Sequence, residues 1–491
     1  MRVTRGLRMT TGLAATLGAL ALAGTAQAAP LTDAQRAQLL AASKKQEPAL
    51  SSDALAIWNL AEVGYKEEKS SALLQDRLRK AGFTVRAGVA GMPTAFVASF
   101  RNGDGPVIGI LAEYDALPGL SQAAVPDRKG TPGKNAAHGC GHNLFGAASV
   151  ASAVALKEWM AANKVKGEVR VYGSPAEEGG SGKVYLVRDG LFNDVDAVLH
   201  WHPGDNNSYT VTPSMANISG KFRFHGVSAH AAAAPDQGRS ALDGVQVMNI
   251  AVEHLREHIP DKTRIHYVIT SGGKAPNVVP DFAEVYYYVR QADPQIVRDV
   301  WARVVKASKG AAIATDTTSD YEITGGVYSL LPNKTLLEVA ERNFSKVPIA
   351  PWDAEQTAFA AQMAKNLPHA GLLDPTPILP PSAEEQLNGS TDVADVSWTV
   401  PTMGISTTTW VPGTPAHSWQ SSAASGTSLG VKGASVAASA LTLMGAELLQ
   451  SPDVLAKAKA ELVERRGKDF KYAAMLGDRK PALDYRDPPA Q

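Results

Sequence analysis

Short apolar runs that end in polar or glycine-rich turns, separated by helix-length stretches, constrain this chain more than any other feature. Residues 106–112 (PVIGILA), 167–172 (GEVRVY) and 197–202 (AVLHWH) have buried-strand character, and acidic residues, glycine or histidine stand at the end of each. Residues 31–82 carry apolar side chains at helical spacing and open at Leu31-Thr32-Asp33-Ala34 like a helix cap, and 144–162 read as a small-residue helix. Residues 85–100 alternate as strands broken by Gly91-Met92-Pro93. Strands alternating with helices, with polar groups at the strand ends, predict an α/β sheet whose site lies at the carboxyl ends of the strands.

The texture changes near Ser214. Residues 221–224, 264–270 and 283–290 are alternating or β-rich, and helical stretches cover 240–258 and 293–308. That order over ~110 residues predicts a smaller α+β domain of ferredoxin-like type inserted into the first. The expected division is a leader at 1–28, a main domain in two parts (29–214 and 326–470), an insert at 215–325, and a tail at 471–491. The Pro-rich stretch from Lys480 reads as a surface-hugging or loose end.

Composition narrows the classes. Lys plus Arg and Asp plus Glu both number 48, so the formal net charge is zero, and no basic block stands out; nucleic acid is not an expected partner. With 44% hydrophobic residues a packed core is feasible. Cys140 is the single cysteine, which excludes an intramolecular disulfide. Arg2, Arg5 and Arg8 precede an uncharged apolar stretch at 10–24, and Ala26-Gln27-Ala28 is an A-x-A cleavage signal. This pattern predicts a secretory leader cut after Ala28, a periplasmic or secreted mature chain, and no membrane association after its removal.

The strongest chemical signal is His138-Gly139-Cys140-Gly141-His142-Asn143. Thiolate and imidazole both suit Zn²⁺-like ions, the glycines let alternate positions turn toward one centre, and the start of a helix favours the thiolate. A turn with a structural cysteine and two surface histidines is the competing reading. Next, Glu177-Glu178 follows a buried strand inside a Gly-rich turn. One carboxylate of such a pair can bind a metal while the other takes a proton from water; a solvated acidic turn is the bland alternative. His200 and His202 lie two apart on a strand, hence on one face, beside Trp201, and one of them is a candidate ligand. The rigid turn Pro412-Gly413-Thr414-Pro415-Ala416-His417 presents a further histidine. Ligands gathered from scattered strand ends are what an α/β metallohydrolase requires.

These segments, with Ala112-Glu113-Tyr114-Asp115-Ala116-Leu117-Pro118-Gly119, Gly226-Val227-Ser228-Ala229-His230, Asn277-Val278-Val279-Pro280-Asp281 and Ser390-Thr391-Asp392-Val393-Ala394-Asp395, resemble the two-metal amidohydrolases and exopeptidases. That family includes aminoacylase, glutamate carboxypeptidase, hippurate hydrolase and the auxin-conjugate hydrolases; the nearest branch is p-aminobenzoyl-glutamate hydrolase of the B-subunit type. The resemblance spans nearly the whole chain after the leader, in order. It implies a mixed-sheet metallopeptidase domain with the insert as lid and dimerisation domain. It also implies two divalent ions, Zn or Mn, with Cys140 bridging and His142, Glu178, His200 or His202, and His417 completing the ligands. Glu177 is then the general base and acid, and Asp115 orients a ligand. His230 reaches the substrate carbonyl, in such families often across a homodimer interface, and Asn277 and Arg290 hold the substrate carboxylate. The implied reaction is hydrolysis of the amide of an N-acyl or N-aroyl amino acid, with dipeptidase or carboxypeptidase action as the alternative. Asn143 stands where many relatives have Asp. A thiol hydrolase with Cys140 as nucleophile and a non-catalytic metal- or ligand-binding protein are the rival classes.

Overall fold

The computed structural model describes residues 30–211, 213–381 and 389–487, so the leader read at 1–28 lies outside it. The helical stretch expected over 31–82 is two helices, α1 (Asp33–Leu60) and α2 (Glu68–Lys80). A capping box of Thr32 and Gln35 opens α1, and left-handed backbone at Ala61 (φ 48°) and Tyr65 (φ 63°) turns the chain between them. The small-residue helix is α3 (His142–Asn163).

The main sheet is built from β1 (Thr84–Ala87), β2 (Phe96–Arg101), β3 (Val107–Ala112), β4 (Glu168–Gly173), β5 (Ala197–Gly204) and β6 (Ser208–Tyr209), with a late strand, Thr402–Thr408, added from the far end of the chain. Its order is β1-β2-β4-β3-β5, then 402–408, then β6. The four central strands run parallel and the flanking ones antiparallel. In the parallel ladders Ala112 pairs with Gly173, and His202 with Ser406, so the ends of β3, β4 and β5 arrive at one rim. All six residues of β3 are buried, which explains its uninterrupted apolar run. Helices α1, α3 and Ser428–Leu449 pack on one another, and the last two also pack on the central strands. The last is apolar and long enough to cross a membrane, but 78% of its apolar window is buried inside the protein, as in a core helix.

A second, fully antiparallel sheet comprises β7 (Ala216–His225), β8 (Arg264–Ser271), β9 (Phe282–Gln291) and β10 (Thr318–Val327) in the order β8-β9-β7-β10. With α4 (Ala241–Leu255) and α5 (Pro294–Ala314) packed on it, this is the split βαβ arrangement. Phe222 sits 5.4 Å from Trp301 and 5.8 Å from Tyr287, ring to ring, at the centre of its core. The late strand named above is β11 (Thr402–Thr408) and the core helix is α6 (Ser428–Leu449).

The tail is docked rather than loose. Tyr472 donates its hydroxyl to Asp395 (2.7 Å), Arg188 donates to the Gly477 and Arg479 carbonyls, and Arg479 donates to the Ile323 and Thr324 carbonyls of β10 (both 2.7 Å).

Candidate active site

Three turns leave the rim of the main sheet and converge. The turn after β3 carries Glu113 and Asp115. The turn entering α3 carries Cys140 and His142, and it needs Gly141: the residue has φ 75°, and a Cβ there would lie 2.7 Å from Pro203. The turn after β4 carries Glu177 and Glu178 between Ala176 (φ 56°) and Ser181 (φ 59°), two left-handed non-glycine residues of the strained kind that gathers at functional sites. His202 lies near the end of β5, and His417 arrives on a loop, itself at φ 58° and donating its backbone N–H to the Gly139 carbonyl (2.9 Å).

The ligand-bearing atoms form three overlapping groups, each within 4.8 Å: Cys140, His142 and His202; Cys140, Glu178 and His417; His142, Glu177 and Glu178. Cys140 Sγ lies 3.5 Å from His202 Nε2, and His417 Nε2 lies 3.1 Å from Glu178 Oε1. His142 Nε2 and Glu178 Oε1 are buried, and the polar atoms nearest them are those of other members of this charged cluster: Glu113 Oε2 at 3.1 Å and His417 Nε2 at 3.1 Å. A set of thiol, imidazole and carboxylate donors fits Zn²⁺ or a similar transition-metal ion. Asp115 fixes two members of the set: Oδ1 sits 2.8 Å from His142 Nδ1, and Oδ2 accepts the Glu178 backbone N–H at 2.9 Å. His202 Nδ1 lies 2.7 Å from the Pro203 carbonyl, which leaves Nε2 free to ligate.

Charge follows burial. Burial and the charge of His142 push His202 down to about 4, so it stands as neutral imidazole, the ligating form. Burial raises Glu178, but the hydrogen bond from His417 and the charge of His142 outweigh it and hold this carboxyl below the usual range. Glu177 goes the other way: burial, then the neighbouring carboxylates of Glu113, Glu178 and Asp392, raise it well above an ordinary carboxyl. Burial also raises the Cys140 thiol, against the depression expected at a helix start, because desolvation here outweighs the favourable field.

His200 does not join the cluster. It lies one pleat behind His202, about 7 Å along the strand, buried over Gly404, where a Cβ would fall 2.2 Å from its ring. Burial, His202 and Lys183 push it down to about 3. His138 is likewise buried, with Nε2 3.1 Å from the Ile57 carbonyl. Asn143 donates to the carbonyls of Ala54 (3.1 Å) and Ser425 (2.9 Å), which a carboxylate could not do.

Arg290, at the end of β9, lines a cavity with Glu177, Glu178, Tyr286, Tyr288 and Asp392. Its guanidinium lies 5.0 Å from the Tyr288 ring centroid, and its Nε is buried without a partner. His230 and Asn277 do not line this cavity. They stand together on exposed loops of the second domain, where the Ala231 N–H donates to the Asn277 carbonyl (3.0 Å) and His230 Nδ1 accepts from Ala233 N–H (3.0 Å). The reason is topological: both lie beyond the far ends of β7 and β9 from Asn217 and Arg290, which face the cavity.

Sequence reasoning assigned no role to a buried charge triad beside Glu177. Lys183 Nζ lies 2.6 Å from Glu113 Oε1 and 2.7 Å from Asp392 Oδ1, and Glu113 Oε2 lies 3.1 Å from His142 Nε2. All four side chains are at most 1% exposed. The available signal was a lone lysine in the otherwise apolar opening of Gly182–Arg188.

A model of the peptidase family M20/M25/M40 matches residues 109–442. The B-subunit of p-aminobenzoyl-glutamate hydrolase from Escherichia coli K12 is 39% identical over 434 residues, covering 82% of this chain and 90% of the relative. The Xaa-Arg dipeptidase of Mus musculus is 31% identical over 305 residues, covering 60% of this chain and 67% of the relative. The crystal structure of a dinuclear-metal-binding peptidase of the M20 family from Bacillus subtilis matches with a TM-score of 0.58 at 18% identity, covering 83% of this chain and 99% of that one. With the ligand cluster at the sheet rim, the match places the chain in the peptidase family M20/M25/M40, as a hydrolase of amide bonds.

Proposed function

We propose that this enzyme hydrolyses the amide bond of an N-aroyl or N-acyl amino acid of the p-aminobenzoyl-glutamate type, with two divalent cations, Zn²⁺ or Mn²⁺, as cofactors. One observation carries the reading: Glu177 faces the ligand cluster on one side and, on the other, a cavity walled by Arg290, Tyr286 and Tyr288. Cys140, His142, Glu178, His202 and His417 would hold the cations, which supply Lewis acidity to a carbonyl and to water. Glu177 takes the proton of the attacking water on its carboxylate and returns it to the leaving nitrogen. Arg290 pairs with the substrate carboxylate, and the two tyrosines offer faces for an aromatic acyl group. Asp115 keeps His142 and Glu178 in place throughout.

His230 and Asn277 serve a neighbouring subunit's cavity in this reading. Support comes from β8, an edge strand with an unpaired ladder on which Tyr267, Val268 and Ile269 are 38%, 55% and 41% exposed. A second copy pairing there makes the homodimer through the inserted domain. The leader composition supports an exported enzyme.

The test is metal analysis coupled to a substrate screen. The protein is expected to carry two equivalents of divalent cation, to cleave p-aminobenzoyl-glutamate faster than a dipeptide series, and to lose activity on chelation. Activity that survives chelation but not Cys140→Ala would replace this mechanism with a thiol hydrolase; a preference for dipeptides would move it to the dipeptidase branch.

Arg290→Met is expected to lower kcat/KM for p-aminobenzoyl-glutamate about 10–100-fold, mostly through KM, because a charged hydrogen-bond pair of about 1.5–3 kcal/mol is lost. On a substrate whose α-carboxylate is amidated, the variant and the wild type should perform alike. An equal loss on both substrates would remove Arg290 from carboxylate recognition.

A further inference from the structure

We infer that Tyr485 and Arg486, on the docked tail, are positioning residues for the Glu177–Glu178 turn. The inference rests on the site reading above, in which Glu177 moves the proton and Glu178 ligates. That turn has left-handed backbone at Ala176 and Ser181, and Gly179 at φ 88°, so it is not a conformation its own sequence prefers. Such a turn keeps its shape only if its surroundings over-determine it.

The partners of its peptide groups come from three distant parts of the chain. Glu67 accepts the Ala176 N–H at 2.8 Å, Asp115 accepts the Glu178 N–H at 2.9 Å, and Tyr65 donates its hydroxyl to the Gly180 carbonyl at 2.8 Å. The Glu178 carbonyl receives both Tyr485 Oη (2.9 Å) and Arg486 Nη2 (2.5 Å). The peptide units on either side of the Glu178 Cα are thus gripped, one by Asp115 and the other by the tail. Rotation of Glu178 would move its carboxylate away from His417 and Cys140.

The grip is itself built. The Tyr485 ring packs edge-on against Tyr65 at 5.6 Å, and the Arg486 guanidinium lies 4.6 Å from the Tyr485 centroid. Gly64 leaves the room the Tyr485 hydroxyl needs, since a Cβ there would lie 2.1 Å from it. The same tail reaches β10 through Arg479, and residues 325–327 of that strand line the cavity with Glu177. One segment therefore holds the Glu177–Glu178 turn and reaches the strand whose end lines the same cavity.

The test uses the full chain with Tyr485→Phe and Arg486→Met combined. Apo protein is titrated with Zn²⁺, and the loaded enzyme is assayed on p-aminobenzoyl-glutamate. Zn²⁺ affinity and kcat are each expected to fall about 10–100-fold, the usual effect of removing a group that orients a ligand, with KM within about twofold. Tyr485→Phe alone keeps the ring packing and is expected to give a smaller loss of both. Asp487→Asn, which breaks only the exposed pair with Lys66 (3.0 Å), should change neither. Wild-type Zn²⁺ affinity and kcat in the double variant would overturn the inference, as would an equal loss in Asp487→Asn. Glu177→Gln run alongside separates the two readings: an active Glu177→Gln removes the site reading, whereas an inactive one beside a normal double variant removes only the role of the tail.

Discussion

Glu177→Gln is expected to lower kcat by at least ~100-fold while the cations stay bound. The amide is the same size as the carboxyl but can neither take a proton from water nor return one to the leaving nitrogen, and general acid–base catalysis contributes ~10²–10⁴-fold. All five proposed ligands, Cys140, His142, Glu178, His202 and His417, would remain to hold the cations. The wild-type carboxyl suits the task because burial and the surrounding carboxylates of Glu113, Glu178 and Asp392 raise its proton affinity. Elemental analysis of the purified variant beside its turnover of p-aminobenzoyl-glutamate checks both halves. Near-normal turnover with metal present would take the proton transfer away from Glu177.

Lys183→Met is the second large effect, and it is on stability. The ammonium is 0% exposed and bridges Glu113 and Asp392, each 1% exposed. Burial alone would favour the neutral amine; Asp392 and Glu113 outweigh it and keep the lysine charged. Methionine fills the same space and leaves, in a dry site, Asp392 without its ammonium partner and Glu113 with only His142 beside it. Breaking a buried pair this way costs about 3–5 kcal/mol, read as a lower denaturation midpoint of the cation-free protein. Lys457→Met is the comparison: its partner Glu338 is 3.4 Å away and both are more than half exposed, so less than about 1 kcal/mol is expected. Removing Asp392 as well should recover part of the loss, since neighbours that share one interaction do not add. A Lys183→Met midpoint close to wild type would show that the triad does not stabilise the fold.

What the sequence revealed, and what it hid, has a physical pattern. The apolar run at 107–112 could be read as a buried strand because parallel strands bury both faces. That Cys140 and His142 turn toward one centre could be read because glycine-spaced thiol and imidazole groups have few other uses. His200 and His202 could not be separated: alternation puts both on one face, and only the end of β5 decides which reaches the rim. Lys183 was invisible because a lysine in sequence reads as solvated, and the two carboxylates that make its burial tolerable lie 70 and 209 positions away. Whether the tail hugs the surface or hangs loose stayed open for the same reason. Its composition is polar and Pro-rich, while its anchors are hydrogen bonds to backbone carbonyls some 155 to 308 positions back.

The cluster also bears on how the protein comes into being. Five of its six donors, from Cys140 to His202, come from one stretch of the main sheet, but His417 arrives only after the whole second sheet has been traversed. Parallel ladders and such long loops close slowly. In the proposed metal site, capture that needs His417 would come late and act as a latch: an ion held more tightly by the finished chain than by the unravelled one adds that difference to stability.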